Sequence, residues 1–448
     1  MVQFRTTEDD GEEFPPIPFA GNITKESKKL APLPPEYTSL KDVYPAKFKT
    51  DLWAPASPNF VTPSEFLYYN AAVLEEFQWL QTFMDTLMTP DDLIPLGWAA
   101  HHASKKRFPK SPPGINTILP LHRDKVSTYN MQAHLMHLNI KWTESLNPGQ
   151  TPVDVSDQPV YAMTKELQLR YSDIFSNYFP LFGQLHIEQA LLVIHGQLVK
   201  GSGLLEILTE NKFSMIGLSA VVDVNNIKRA RYTLQITLCS LFQQLRDAMP
   251  ATITDLSPYS WLTQESKENI SCKYRKSVID VQILILLYIR SIREGNFKLH
   301  VEVLYKLLIW FFIFDHYHYA RWLTIHWFDL YKLESTFPDV YDFFCKGNFS
   351  FQKSNRDFSR MGLDQIHEQN NKIIKGAGGA SDLLNKVDDS ALLRWEVCSP
   401  ELARVILEFE DCLDRNELPA ESTTKHHEDN EPFHKRFASD VSRLNKSS

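Results

Sequence analysis

Cysteine is scarce. Five are scattered over 448 residues, at positions 239, 272, 345, 398 and 412, with wide gaps and no CxxC pair. This excludes a disulfide scaffold, a zinc ribbon and a thioredoxin-type motif, and reduced thiols in an intracellular compartment fit best. Long apolar runs are missing too. The two most membrane-like stretches, 281–289 and 307–314, fall short of the roughly 20 residues that cross a bilayer and read as buried helices, so no membrane partner is expected. The opening MVQFRTTEDDGEEF is acidic and has no apolar stretch of the secretory kind. Net positive charge is also lacking: 47 Lys+Arg face 55 Asp+Glu, for a formal charge of −8. This argues against binding of nucleic acid by bulk charge, although a local basic groove is compatible with it. No internal repeat is evident. The one glycine-rich phrase, KGAGG at 375–379, lacks the GxxxxGK[ST] order and follows a helix, so Gly376 reads as a helix C-cap rather than part of a phosphate loop.

What is present is a large apolar complement. Hydrophobic residues make up 43% and aromatics 12% of the chain, enough for a substantial core and too much for wholesale disorder. Prolines are unevenly placed, with 16 of the 26 in the first 120 residues, as in FPPIP at 14–18. Proline removes amide donors and extends the preceding residue, so residues 1–62 are expected to form an extended or disordered arm. A helix is predicted from near Ser64 through residue 87, capped by Thr62-Pro63-Ser64-Glu65. A basic, proline-rich loop follows at 104–115, either solvated or touching phosphate. Residues 125–146 predict an amphipathic helix with Met131, Leu135, Leu138 and Trp142 on its apolar stripe. His134 and His137 on that helix lack a third metal ligand at a recognised spacing.

The next stretch changes rhythm. Val153-Asp154-Val155-Ser156-Asp157 alternates with strand-like period two, a helix follows over 160–170, and 178–182 reads as a second strand leading into a helix through about 199. This strand–helix–strand–helix order predicts a parallel α/β unit. From about 203 to 344 the pattern is almost entirely helical, with long apolar stripes over 226–246, 276–293 and 299–333. Residues 345–360 read as a loop with a short strand. Helices are expected at 364–376 and 400–413, and the polar segment 414–448 is expected to be a disordered tail.

Candidate chemistry gathers in three places. Asp157 ends a strand and opens a helix, where it suits an N-cap and equally a ligand site beyond the strand ends. His186 and Glu188 point to one side if extended and lie about 200° apart if helical; a core histidine and a first-turn acid are the plain readings. On the 364–376 helix, Asp364 and Glu368 share a face at i,i+4. Like charges there are unfavourable unless a cation is near, either Lys372 or a divalent metal. His367 and Asn371 form a second polar ridge beside them. Asp315, His316, His318 and His326 invite a metal reading, but their aromatic surroundings favour hydrogen-bonded core histidines.

Several phrases resemble a family of transposon-derived proteins that is multicopy in invertebrate genomes. They include PVDVSDQPVYAMTKELQ (152–168), FGQLHIEQALLVIHGQLVKGSGL (182–204), NNIKRARYTLQITL (225–238), FDHYHYARWLTIHWFDL (314–330) and NFSFQKSNRDFSRMGLDQIHEQNNKIIKGAGGA (348–380). Members of that family look like degenerate ribonuclease-H-like, DDE-type transposases. The resemblance implies an α-rich α/β fold, with a small, incomplete ribonuclease-H-like sheet interrupted by a large all-helical insertion. The chain then divides into the arm (1–62), a helical N-terminal region (63–150), the first part of the core (151–202), the insertion (203–345), the remaining core with the Glu368 helix (346–413) and the tail (414–448).

In such enzymes, carboxylates hold two Mg²⁺ or Mn²⁺ ions about 4 Å apart for phosphodiester cleavage and strand transfer. The resemblance implies Asp157, Glu188 and Glu368 as catalytic metal ligands and Asp364 as a further ligand, with His186, His367 and Asn371 as auxiliaries. Lys353, Arg356, Arg360, Lys372 and Lys375 would contact the phosphates of a DNA partner, in the nucleus. The ancestral activity is either kept or lost. The rival expectation is a non-catalytic helical interaction protein.

Overall fold

The computed structural model describes residues 2–5, 66–89, 93–108, 113–118, 128–202, 226–253 and 256–375, together with 224, 398, 405 and 435–442. The chain opens with β1 (Val2–Arg5), followed by α1 (Leu67–Met88), α2 (Trp98–Ser104) and β2 (Ile115–Ile118). Next come α3 (Tyr129–Leu146), β3 (Val153–Ser156), α4 (Gln158–Arg170), α5 (Ser172–Phe175), β4 (Phe179–Phe182) and α6 (Gln184–Val199). The long helical stretch holds α7 (Ile227–Ala248), α8 (Pro258–Glu265), α9 (Ile270–Glu294), α10 (Phe297–Ile313), α11 (Tyr317–Tyr331), α12 (Leu333–Thr336) and α13 (Pro338–Phe343). A π-helical turn (Phe344–Asn348), β5 (Phe351–Gln352), β6 (Arg360–Met361) and α14 (Leu363–Lys375) follow, and α15 spans 435–442.

Local chemistry accounts for many of these boundaries. Thr128, Asp157, Asn226, Ser257, Asn269 and Asn296 each accept a backbone N–H in the first turn of the helix they precede, satisfying donors that would otherwise be orphaned. Prolines stand in the first turns of α4, α8 and α13, where no amide donor is needed. Gly295 ends α9 in the left-handed region at φ 69°, the usual stop for a long helix.

The core is helical, and α9 runs through its middle. Fourteen of its residues, from Val278 to Ile292, are buried, because α1, α6, α7, α8 and α10 pack around it. A helix apolar on every side needs such a sheath. The apolar stretch 281–289 lies inside α9, and no helix of the described residues is long and apolar enough to cross a membrane.

One ionic knot is buried within this core. Glu76 of α1, fully buried, accepts from Trp98 Nε1 at 2.8 Å and Arg290 Nη1 at 3.0 Å and lies 3.1 Å from His102 Nε2. Burial alone would raise the Glu76 pKa, but the charge and hydrogen bond of His102, with Arg290 and Trp98, bring it down to about 2. Arg107 Nη1 and Arg290 Nε both donate to Glu294 Oε1, at 2.8 and 2.9 Å. Arg107 therefore closes this knot, with a side chain only 19% exposed, and is not the solvated or phosphate-touching cation expected of the 104–115 loop.

The sheets are small: three pairs of strands among the described residues. β1 pairs antiparallel with β2, and β5 with β6. Only β3 and β4 pair parallel, with Val153 opposite Phe179 and Ser156 opposite Phe182. α4 connects them, and α4, α11 and α14 pack against the pair. The expected α/β unit at 153–199 is thus present, and the fold as a whole is helix-rich.

Several expectations need correction. The first helix begins at Leu67 behind Phe66, which makes no side-chain cap; Thr62 to Glu65 lie outside the described residues. On α3 the buried face is Gln132, Ala133, His134, Met136, Asn139 and Thr143, and Met131, Leu135, Leu138 and Trp142 are only partly buried. Gln132 Nε2 donates to Thr164 Oγ1 at 2.6 Å and Asn139 Nδ2 to Tyr178 Oη at 2.8 Å, so polar groups bonded through their amide nitrogens took places that apolar ones were expected to fill. The 299–333 stripe is two helices, broken at Asp315 with φ 57°. His326 is a core histidine, 1% exposed, whereas His318 is exposed. The tail expected to be disordered contains α15, whose Phe437 and Val441 are fully buried in the core. The expected helix at 400–413 lies, apart from 405, outside the described residues, as does Gly376.

Candidate functional site at the carboxyl edge of the parallel strands

β3 and β4 end side by side, so the turns that follow them share one edge. Asp157 follows β3, and its Oδ1 accepts from Val160 N at 3.3 Å as the N-cap of α4. Gly183 follows β4, and its N–H donates to Ser156 O at 2.8 Å, carrying the pairing one residue past the strands. A Cβ at Gly183 would lie 2.7 Å from Asp364 Oδ2 and 2.9 Å from Ser156 O. The close approach of the late helix α14 to this edge therefore needs glycine.

That approach is fixed by an exchange between two helix starts. Asp364, 6% exposed, accepts from Leu185 N at 2.9 and 2.8 Å, from His186 N at 3.2 Å and from His186 Nδ1 at 2.9 Å. It satisfies the orphan amides at the start of α6, where a negative charge also suits the helix dipole. In return, Gln184 Oε1 accepts from Leu363 N at 3.2 Å, and Gln184 Nε2 donates to Phe349 O at 3.1 Å. Residues 179 positions apart in the chain thus cap each other's helices.

His186 sits among acids. Its pKa is raised, first by the hydrogen bond to Asp364 against the opposing effect of burial, then by the charges of Asp364, Asp157 and Glu368. Tyr319 of α11 belongs to the same neighbourhood: burial, with Asp157 and Asp364 adding, pushes it up to about 12. The structure therefore brings Asp157, His186, Asp364 and Glu368 into one electrostatic field, drawn from β3, α6 and α14.

Glu188 is not part of it. The 184–199 segment is helical from Gln184, so Glu188 lies about 200° around α6 from His186. There it is 3% exposed and forms a two-pronged ion pair with Arg231 Nε and Nη2 of α7. The remaining predicted residues divide. His367, Glu368 and Lys372 are exposed on α14, and Asn371 is partly buried. Lys353 and Arg356 are exposed on the β5–β6 loop. Arg360 is a structural residue, 7% exposed, donating to Gly347 O at 2.8 Å and Ser350 O at 3.1 Å; burial lowers its pKa to about 10. The side chain of Lys375 lies outside the described residues.

Mg²⁺ or Mn²⁺ coordination can be tested against these contacts. Both oxygens of Asp364 already accept backbone and imidazole N–H groups, Asp157 caps α4, and Glu188 belongs to Arg231. Among the described residues no three His, Cys, Asp or Glu side chains are arranged to hold a metal ion. The carboxylate set Asp157, Glu188, Asp364 and Glu368 does not fit a divalent pair.

Sequence reasoning missed the cationic residues of the adjoining cleft, Arg231 and Arg293. A signal existed: Arg290 and Arg293 interrupt the apolar stripe of α9, and a charge on such a face needs a partner or a ligand.

Residues 259–447 are similar to a family described as a domain of unknown function (DUF8702). This stretch includes Asp364 and Glu368 but neither Asp157 nor Glu188. Comparison with curated proteins and with solved structures found no match.

Proposed function

We propose that this chain is a transposon-derived, transposase-like protein that binds DNA through phosphate contacts without cutting it. Of its carboxylates, ancestrally metal ligands in a ribonuclease-H-like core, Asp157 and Asp364 now serve as helix caps and Glu188 as an ion-pair partner. The carboxyl edge of β3 and β4 carries this reading. Asp157 and Glu368, two acids implied by the resemblance and 211 positions apart in the chain, both act electrostatically on His186 there, while Asp364 is fully engaged as a cap. Lys353, Arg356 and Lys372 form no ion pair among the described residues and supply cations for phosphate oxygens. A DNA partner places the protein's work in the nucleus.

The test is fluorescence anisotropy of labelled duplex DNA with the full chain, over a range of salt, beside a nicking assay in Mg²⁺ and Mn²⁺. Wild type should bind at low salt, and the Lys353→Glu/Arg356→Glu variant should bind at least about tenfold more weakly, with a salt slope smaller by about 2. Wild type and Glu368→Gln should be equally unable to nick. Metal-dependent nicking that Glu368→Gln abolishes would restore a catalytic site. Absence of DNA binding would leave the helical interaction protein.

A further inference from the structure

Along the Glu188 side of α6, reaching the start of α14, lies an open cleft of about 800 Å³, within the usual size range of small-molecule sites. Its charge is unlike that of the chain. Arg231, Arg293, Lys353, Arg356 and Arg360 line it, and Glu188 is the one acid among its lining residues. Glu188 neutralises Arg231, and Arg360 is bound to carbonyls. Arg293, Lys353 and Arg356 form no ion pair among the described residues.

Arg293 is the most informative of the three. It is half-buried, and its guanidinium lies 5.9 Å from the Trp98 ring centre and 5.5 Å from that of Phe358. Rings orient and partly stabilise a guanidinium but do not neutralise it. Burial, with Arg231 nearby, lowers the Arg293 pKa to about 10 against the smaller opposing charge of Glu188. Phe358 itself holds φ 61°, a conformation that a bulky L-residue adopts at a cost and that tends to mark functional positions. Its ring, edge-on to Trp98 and stacked on His102, forms the wall against which Arg293 is held. Leu185, Ile289, Ile292 and Met361 provide apolar lining beside these cations.

We propose that this cleft binds a nucleoside phosphate, with Arg293, Lys353 and Arg356 on the phosphate and the apolar lining against the base and sugar. An oriented guanidinium, two exposed cations and an apolar lining match an anion carried on an apolar, planar body. The inference does not rest on the DNA reading, since it concerns a free small molecule and is read without DNA.

The experiment is isothermal titration of the full chain, in phosphate-free buffer, with ATP, AMP, inorganic phosphate and adenosine. ATP and AMP should bind with Kd below about 1 mM, and adenosine should bind at least about tenfold more weakly than AMP. Arg293→Met, which keeps the packing stem and removes the charge, should weaken ATP binding at least about tenfold. Should Arg293→Met fail to fold, Lys353→Glu/Arg356→Glu changes only exposed side chains and should show the same loss. No binding of ATP or AMP, adenosine binding equal to AMP, or ATP affinity unchanged in a folded variant would each overturn the assignment.

Discussion

The two sides of α6 treat charge in opposite ways. Toward β3, His186 sits in a field of carboxylates, with Asp364 directly bonded and Asp157 and Glu368 behind it. Toward α7, Glu188 is a lone acid facing Arg231, with Arg293 beyond. Two residues of spacing, about half a turn of helix, separate these worlds. A chain with a net charge of −8 can thus keep a cationic cleft, because the helix partitions the signs that its composition only averages. On the acidic side Asp364 is saturated with internal partners, whereas on the cationic side Arg293, Lys353 and Arg356 form no ion pair among the described residues. Saturation reads as structure and unsaturation as a place for a ligand.

Substitutions can break this contrast. The largest effect is expected at Asp364→Ala, which strips the acceptors from Leu185 N, His186 N and His186 Nδ1 and releases α14 from the strand edge. A loss of about 3–5 kcal/mol in urea unfolding is expected, as for breaking a buried charge pair. Next is Arg231→Met, which leaves Glu188 buried and unpaired at a cost of about 3 kcal/mol. The Arg231→Met/Glu188→Leu double variant should recover most of it, and a double-mutant cycle in the same assay measures the coupling. Gly183→Ala drives a methyl group against Asp364 Oδ2 and the Ser156 carbonyl, for about 2 kcal/mol by the same measurement.

The smallest effect sharpens the comparison by pH. The raised pKa of His186 means that its contribution to stability is fully present below its ordinary 6.5 and is lost as pH rises through the folded-state value. The buried His300, lowered to about 3 by burial, has the opposite sign. Below 6.5 the unfolded chain takes up a proton that the folded chain refuses, so stability falls from pH 6.5 toward 3. Between pH 6.5 and 5.5 this amounts to about 1 kcal/mol. Unfolding curves of His186→Gln and His300→Gln against wild type, from pH 5.5 to 8, should show the two slopes disappear with opposite signs.

Periodicity was most legible where the backbone pattern was local. The β3–α4–β4–α6 unit, the cap at Asp157 and the helix bearing Glu368 could all be read from turn chemistry and apolar spacing. The partition at α6 could not. His186 and Glu188 had one geometry in a strand and another in a helix, and only packing against α14 and α7 decides between them. The α3 face was misread for a related reason. Gln132 and Asn139 look solvent-facing until Thr164 and Tyr178, more than 30 residues on, accept from their amide nitrogens. Arg360 carried a charge that suggested a phosphate, and the carbonyls of Gly347 and Ser350 claimed it instead.

The short helix at 435–442 has a consequence for how the protein is made. Phe437 meets Phe83 and Tyr232 at ring-centre separations of 5.3 and 5.7 Å, and the Tyr232 hydroxyl donates to Asp440 Oδ2 at 2.8 Å. Its seat on α1 and α7 is translated some 190 to 370 residues earlier. Synthesis proceeds at about 5–20 residues per second, so that apolar seat stays open for tens of seconds on the ribosome before its plug emerges. During this interval the nascent chain offers a sticky surface to chaperones, or to its neighbours on the same message.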